Sequence, residues 1–83
     1  MVNYDKVPVD KMESSVKRYV ETGTVHSDFL HAVLTDSLTD SFARADAENR
    51  AALNDWRLFI YNELPMDCWG DSETVKAWNG LGN

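Results

Sequence analysis

An all-α fold is expected, a compact bundle of about four helices, and three observations predict it. Apolar residues recur at three- and four-residue spacing nearly throughout the chain. No alternating run of the kind a half-buried strand needs competes with that period. The punctuation (Pro8, Gly23, Ser27, Ser37, Pro65, Gly70) falls where helices start and stop.

The first helix is expected over residues 8–22. Val9, Met12, Val16 and Val20 lie at i, i+3, i+7 and i+11, and Tyr19 widens the stripe. Pro8 suits a first turn, where its missing N–H costs nothing, and Gly23 is a C-terminal stop. A short second helix follows in "SDFLHAVLTD", capped by Ser27, with Asp28 favouring the positive helix start. Phe29, Leu30, Val33 and Leu34 form its wide apolar face. Ser37 and Asp40 have capping-box-like spacing, and Asp36 competes as a cap.

From there no Gly or Pro occurs until Pro65. One long central helix over about 38–64 is the simplest expectation, with a bend allowed in "RADAENR". "PMDCWG" is expected to turn the chain back, Gly70 taking a positive φ. Asp71 or Ser72 then caps a last short helix in which Val75 and Trp78 share one face. Trp69 is expected to pin the loop and Trp78 to seal the helix onto the long one. The expected domain is a single one over residues 1–83, ordered over 7–78 and loose at its ends.

Composition narrows the function. Hydrophobic residues are 43% and charged residues 27%, a globular balance. The one cysteine, Cys68, excludes an internal disulfide and suits a reducing compartment. "MVNYDKVPVDK" has no apolar core region, so no secretory signal is expected, and no run approaches a membrane span. The net charge is −6. Residues 1–23 hold four basic and four acidic residues, whereas residues 24–83 hold four basic against ten acidic. That excess argues against direct nucleic-acid binding, which relies on cationic groups displacing counterions. It is compatible with a basic protein partner, although on charge alone a merely solubilising surface is the favoured reading.

Read together, "RYVETG", "FLHAVLTDSL", "RADAENRAAL", "YNELP" and "CWGDSETVKAW" resemble a family of short phage- and prophage-encoded bacterial proteins. Its members read "RYVxxG", "FLxAVLxNDL", "RADxxN", "YNxxP" and "WGSPEKVxxW". The resemblance spans residues 7–78. Two departures occur: Asp36-Ser37-Leu38 replaces Asn-Asp-Leu, and Asp71-Ser72-Glu73-Thr74 replaces Ser-Pro-Glu-Lys. Both keep helix-capping chemistry. The resemblance implies a context, a small product made in the cytoplasm of a bacterial host by a phage or mobile element.

Four constellations are candidates for function. Arg44, Asn49 and Arg50 could form a polar pocket for a carboxylate, phosphate or nucleotide; alternatively Asn49 is a strut that satisfies backbone groups near the turn between the first two helices. His26, His31 and Asp28 fall short of the three or four well-spaced ligands that zinc wants, so no metal and no cofactor is expected. Cys68 beside Trp69 reads as an apolar plug rather than a nucleophile, which would need a neighbouring base. Trp56, Phe59 and Tyr61, with Ile60, cover more than one helix face. The overflow is either covered by the last helix or forms the seam of a homodimer.

These features favour a small non-enzymatic protein that binds a host protein with a basic surface. Inhibition of a nucleic-acid-handling or defence system is the expected role, in the manner of an anti-CRISPR protein or a DNA mimic. Asp36, Asp40, Asp46, Glu48 and Asp55 would meet the partner. A small-ligand or nucleotide binder and a structural homo-oligomer are the alternatives.

Overall fold

The computed structural model describes residues 2–81, and among them the fold is all-α, with no strand. Six α-helices are present: α1 Glu13–Thr22, α2 Asp28–Leu34, α3 Leu38–Arg44, α4 Ala47–Ala51, α5 Leu53–Glu63 and α6 Ser72–Ala77. Three 3₁₀ turns, Tyr4–Lys6, Asp10–Met12 and Met66–Cys68, join the set.

The first helix is shorter than expected. Pro8 lies outside it, and the Asp10–Met12 turn leads into α1. Its apolar stripe is nevertheless buried as read: Val9, Met12, Val16, Tyr19 and Val20 all belong to the core. Gly23, at φ +80°, ends the helix and donates its N–H to the Tyr19 carbonyl at 2.8 Å. Ser27 caps α2, its hydroxyl accepting the Leu30 N–H at 3.1 Å.

The long central helix of 38–64 is corrected to three pieces, α3, α4 and α5. The first break is at Ala45, which is extended (φ −76°, ψ 138°), and Asp46. Asp46 is the cause. Inside a helix its carboxylate competes for backbone donors, and at a start it satisfies one. Here it accepts the Asn49 N–H at 2.9 Å and begins a new helix. The second break, at Ala52 (φ −103°, ψ 13°), is a softer turn into α5. Pro65 then follows the extended Leu64, as X-Pro geometry requires.

Trp56 sits at the centre, 0% exposed, with edge-on contacts to Phe29 at 5.6 Å and Phe59 at 6.1 Å between ring centroids. Residues of α1, α2, α5 and α6 close around it in one apolar cluster. The loop after α5 is tied down from both sides. Tyr19 Oη donates to the Cys68 carbonyl at 2.6 Å, and the Gly70 N–H donates to the Leu34 carbonyl at 2.8 Å.

Trp78 does not seal the last helix onto α5, although Val75 of that helix joins the same core cluster. Trp78 Nε1 instead shares its proton between the carbonyls of Tyr19 and Val20, both at 3.1 Å, at the end of α1. Leu81 then donates its N–H to the same Val20 carbonyl at 3.0 Å. Residues 78–81 are thus a strap across the α1 C-terminus, satisfying the Val20 carbonyl and adding a second donor to the Tyr19 carbonyl that Gly23 already caps. Met1, Gly82 and Asn83 lie outside the described residues. Val2 is buried in the core.

Candidate functional site

The five acids singled out by the sequence are all exposed, but they do not make one patch. Asp36 occupies the turn between α2 and α3 at φ +60° and pairs with Arg57 at 3.4 Å. Asp46, while capping α4, pairs with Lys11, which also reaches Glu48 at 3.4 Å. The Lys11 hydrogen bond, reinforced by the Asn49 N–H, holds the Asp46 carboxyl below the usual range, and the same bond raises Lys11. Asp40 borders a hollow with Asp28, His31, Arg44 and Ser72. Asp55 borders another with Lys6, Leu58 and Glu63. Neither Asp40 nor Asp55 has an ion-pair partner among the described residues.

The polar pocket is not assembled. Arg44 turns to Asp28 at 3.3 Å. Arg50 stacks on Phe42 at 4.7 Å and donates to the Ala45 carbonyl at 3.2 Å. Asn49 is 4% exposed and accepts the indole proton of Trp56 at 3.1 Å. It is a strut, as one reading of the sequence had it, but it ties α4 to the central tryptophan rather than to the turn between α1 and α2. The break at Asp46 is what places Asn49 there.

The aromatic seam also comes apart. Trp56 and Phe59 are core residues, at 0% and 5% exposure, while Tyr61 is 73% exposed. The last helix does not cover the overflow, since Trp78 goes to α1. What α5 presents outward is Asn54, Leu58 and Tyr61, at i, i+4 and i+7, opposite Trp56 and Ile60. Tyr61 meets Trp69 edge-on at 6.2 Å. Leu58 and Trp69 were not singled out for this face. The i, i+4, i+7 spacing was in the sequence, but only the direction of the core distinguishes the outer stripe from the inner one.

Cys68 is fully buried, and burial, helped by the Asp67 charge, pushes its thiol up to about 12. Burial, with Cys68 beside it, likewise raises the Tyr19 phenol. Both groups stay protonated at neutral pH, the opposite of what an activated nucleophile requires. Among the described residues no group of three His, Cys, Asp or Glu side chains is arranged to hold a metal ion. No described helix is long and apolar enough to cross a membrane.

Compared with known proteins, the chain matches no family model, and no curated protein or solved structure is significantly similar to it.

Proposed function

We propose that this is a non-enzymatic binding protein whose acidic surface meets a basic protein partner. The phage-type resemblance supplies the context, a bacterial host, and inhibition of a nucleic-acid-handling or defence protein is the outcome we assign to binding. The observation that carries the reading is the surplus of unpaired acids. Among the described residues, Asp28, Asp36, Asp46, Glu48 and Glu63 are in ion pairs, which leaves nine of the fourteen acids without one. Only four of the eight cations, Lys17, Arg18, Arg50 and Lys76, remain to balance them. Such a surface attracts cationic partners and speeds their encounter at low salt.

The nucleotide-binding alternative loses its support, because Arg44, Asn49 and Arg50 engage three separate partners. The test is a pull-down of the tagged chain from bacterial lysate at low and high salt, followed by affinity measurement on the captured protein. Reversing Asp40 and Asp55 to Lys, two acids with no internal partner, is expected to weaken binding at least tenfold and to flatten its salt dependence. An affinity indifferent to both the reversal and the salt would rule the reading out.

A further inference from the structure

We propose that the outer face of α5 is the docking surface for a cationic amphipathic helix of the partner. This inference rests on the acidic-binding reading above and gives it a location.

Shape comes first. Leu58 and Tyr61 stand out from α5, 52% and 73% exposed, on the side opposite the buried Trp56. A hollow lies on each flank of this ridge. One, about 370 Å³, runs between α5, Val33 and Trp69. The other, about 390 Å³, is bordered by Pro8, Asp55, Phe59 and Asn62. A ridge between two grooves is the surface against which a second helix packs. Tyr61 is already held against Trp69, so it loses little freedom on binding, and tyrosines of this kind anchor interfaces.

Charge then selects the occupant. Five charged residues border the two hollows: Lys6, Asp36, Asp55, Arg57 and Glu63. Lys6 takes Glu63 at 3.8 Å and Arg57 takes Asp36 at 3.4 Å. Asp55 is left over. A helix with an apolar stripe for Leu58 and Tyr61 and a Lys or Arg beside it supplies what this face lacks. A second copy of the chain would instead bring another unpaired Asp55 and a further net charge of −6 against the first.

The experiment titrates the ¹⁵N-labelled full chain with three synthetic peptides, followed by NMR. They are a 14-residue Leu/Lys amphipathic helix, an oligolysine of equal charge, and a Leu/Glu helix of equal length. The Leu/Lys helix is expected to shift the amides of residues 54–61 and the Trp69 indole, and to bind at least tenfold more tightly than oligolysine. Leu58→Ser and Tyr61→Ser are each expected to weaken it at least tenfold. Leu58→Ser, whose side chain faces outward, should do so with little change in melting temperature, whereas Tyr61→Ser also gives up the Trp69 contact and should lower it modestly. Asp55→Lys should weaken it and leave any oligolysine binding elsewhere intact.

Shifts from both cationic peptides that centre on other acids, such as Asp40, would overturn the α5 surface while leaving the acidic-binding reading standing. Equal binding of the Leu/Glu helix would overturn the cationic occupant. Self-association through α5 with no peptide bound would overturn it in favour of a second copy. Absence of any shift with either cationic peptide would bring down the docking surface and the acidic-binding reading together.

Discussion

Asn49 shows how one side chain can be misread from its neighbours. In the sequence it interrupts an apolar stripe between two arginines, a pattern open to a ligand site. In the fold its amide oxygen answers the one polar atom of the most buried tryptophan. A buried N–H without an acceptor carries its full desolvation penalty, so the pair is worth more than its geometry alone suggests. Asn49→Ala is therefore expected to destabilise the chain by about 1–3 kcal/mol. The same change in a Trp56→Phe background should cost clearly less, since no donor is then stranded. Urea denaturation of the four proteins in the cycle checks this, and equal costs in both backgrounds would reject the strut.

At the scale of elements, the fold depends on how helix ends are finished rather than on long helices. Asp46, Ser27, Ser37 and Asp71 each accept a backbone N–H at a helix start. The α1 C-terminus is finished twice, by the Gly23 N–H and, from outside, by the strap of residues 78–81. Gly80 makes that strap possible. It sits at φ +95°, and a Cβ there would lie 2.2 Å from the Glu21 carbonyl oxygen. Gly70, also at positive φ, has nothing within 4 Å of its would-be Cβ. Gly80→Ala thus combines backbone strain with a collision against backbone, whereas Gly70→Ala carries strain alone, on the order of 1–3 kcal/mol. We expect Gly80→Ala to cost more, and to release the Trp78 indole. Chemical denaturation and Trp78 indole hydrogen exchange report both effects. A Gly80→Ala protein as stable as Gly70→Ala would mean that the strap contributes little.

At the scale of the whole molecule, the protonation map predicts a stability plateau with two edges. Asp46 and Asp71 are held below the usual carboxylate range, by Lys11 and by the Thr74 N–H respectively. Their contribution is present above the unfolded value of about 4 and is lost as pH falls through the lower folded value. On the alkaline side the signs reverse. Cys68 and Tyr19 are raised by burial, so the unfolded chain gives up those protons first. Their contribution is complete below the unfolded thiol value of about 9, and it fades as pH rises toward the folded Cys68 value of about 12. Urea midpoints from pH 3 to 11 should therefore be flat near neutrality and fall at both ends. Cys68→Ala should soften the alkaline fall; an unchanged fall would place its cause elsewhere.

The all-α class, the buried stripe of α1, the caps at Ser27 and Ser37 and the acidic surplus were legible in the residues, because each depends on local spacing or on composition. The division of the long helix was half legible. The polar "RADAENR" stretch was visible as a place for a bend, but whether Asp46 lies in a bent helix or caps a new one depends on what Lys11 and Asn49 can reach. Tertiary structure alone decided the rest. It separated Tyr61 from Trp56 and Phe59, sent Trp78 to α1 rather than α5, and took Arg44, Asn49 and Arg50 to three different partners. The physical reason is the same in each case. Helical period shows that a chain has an apolar stripe, whereas the direction of the core, which decides what a side chain meets, is set by elements distant in sequence.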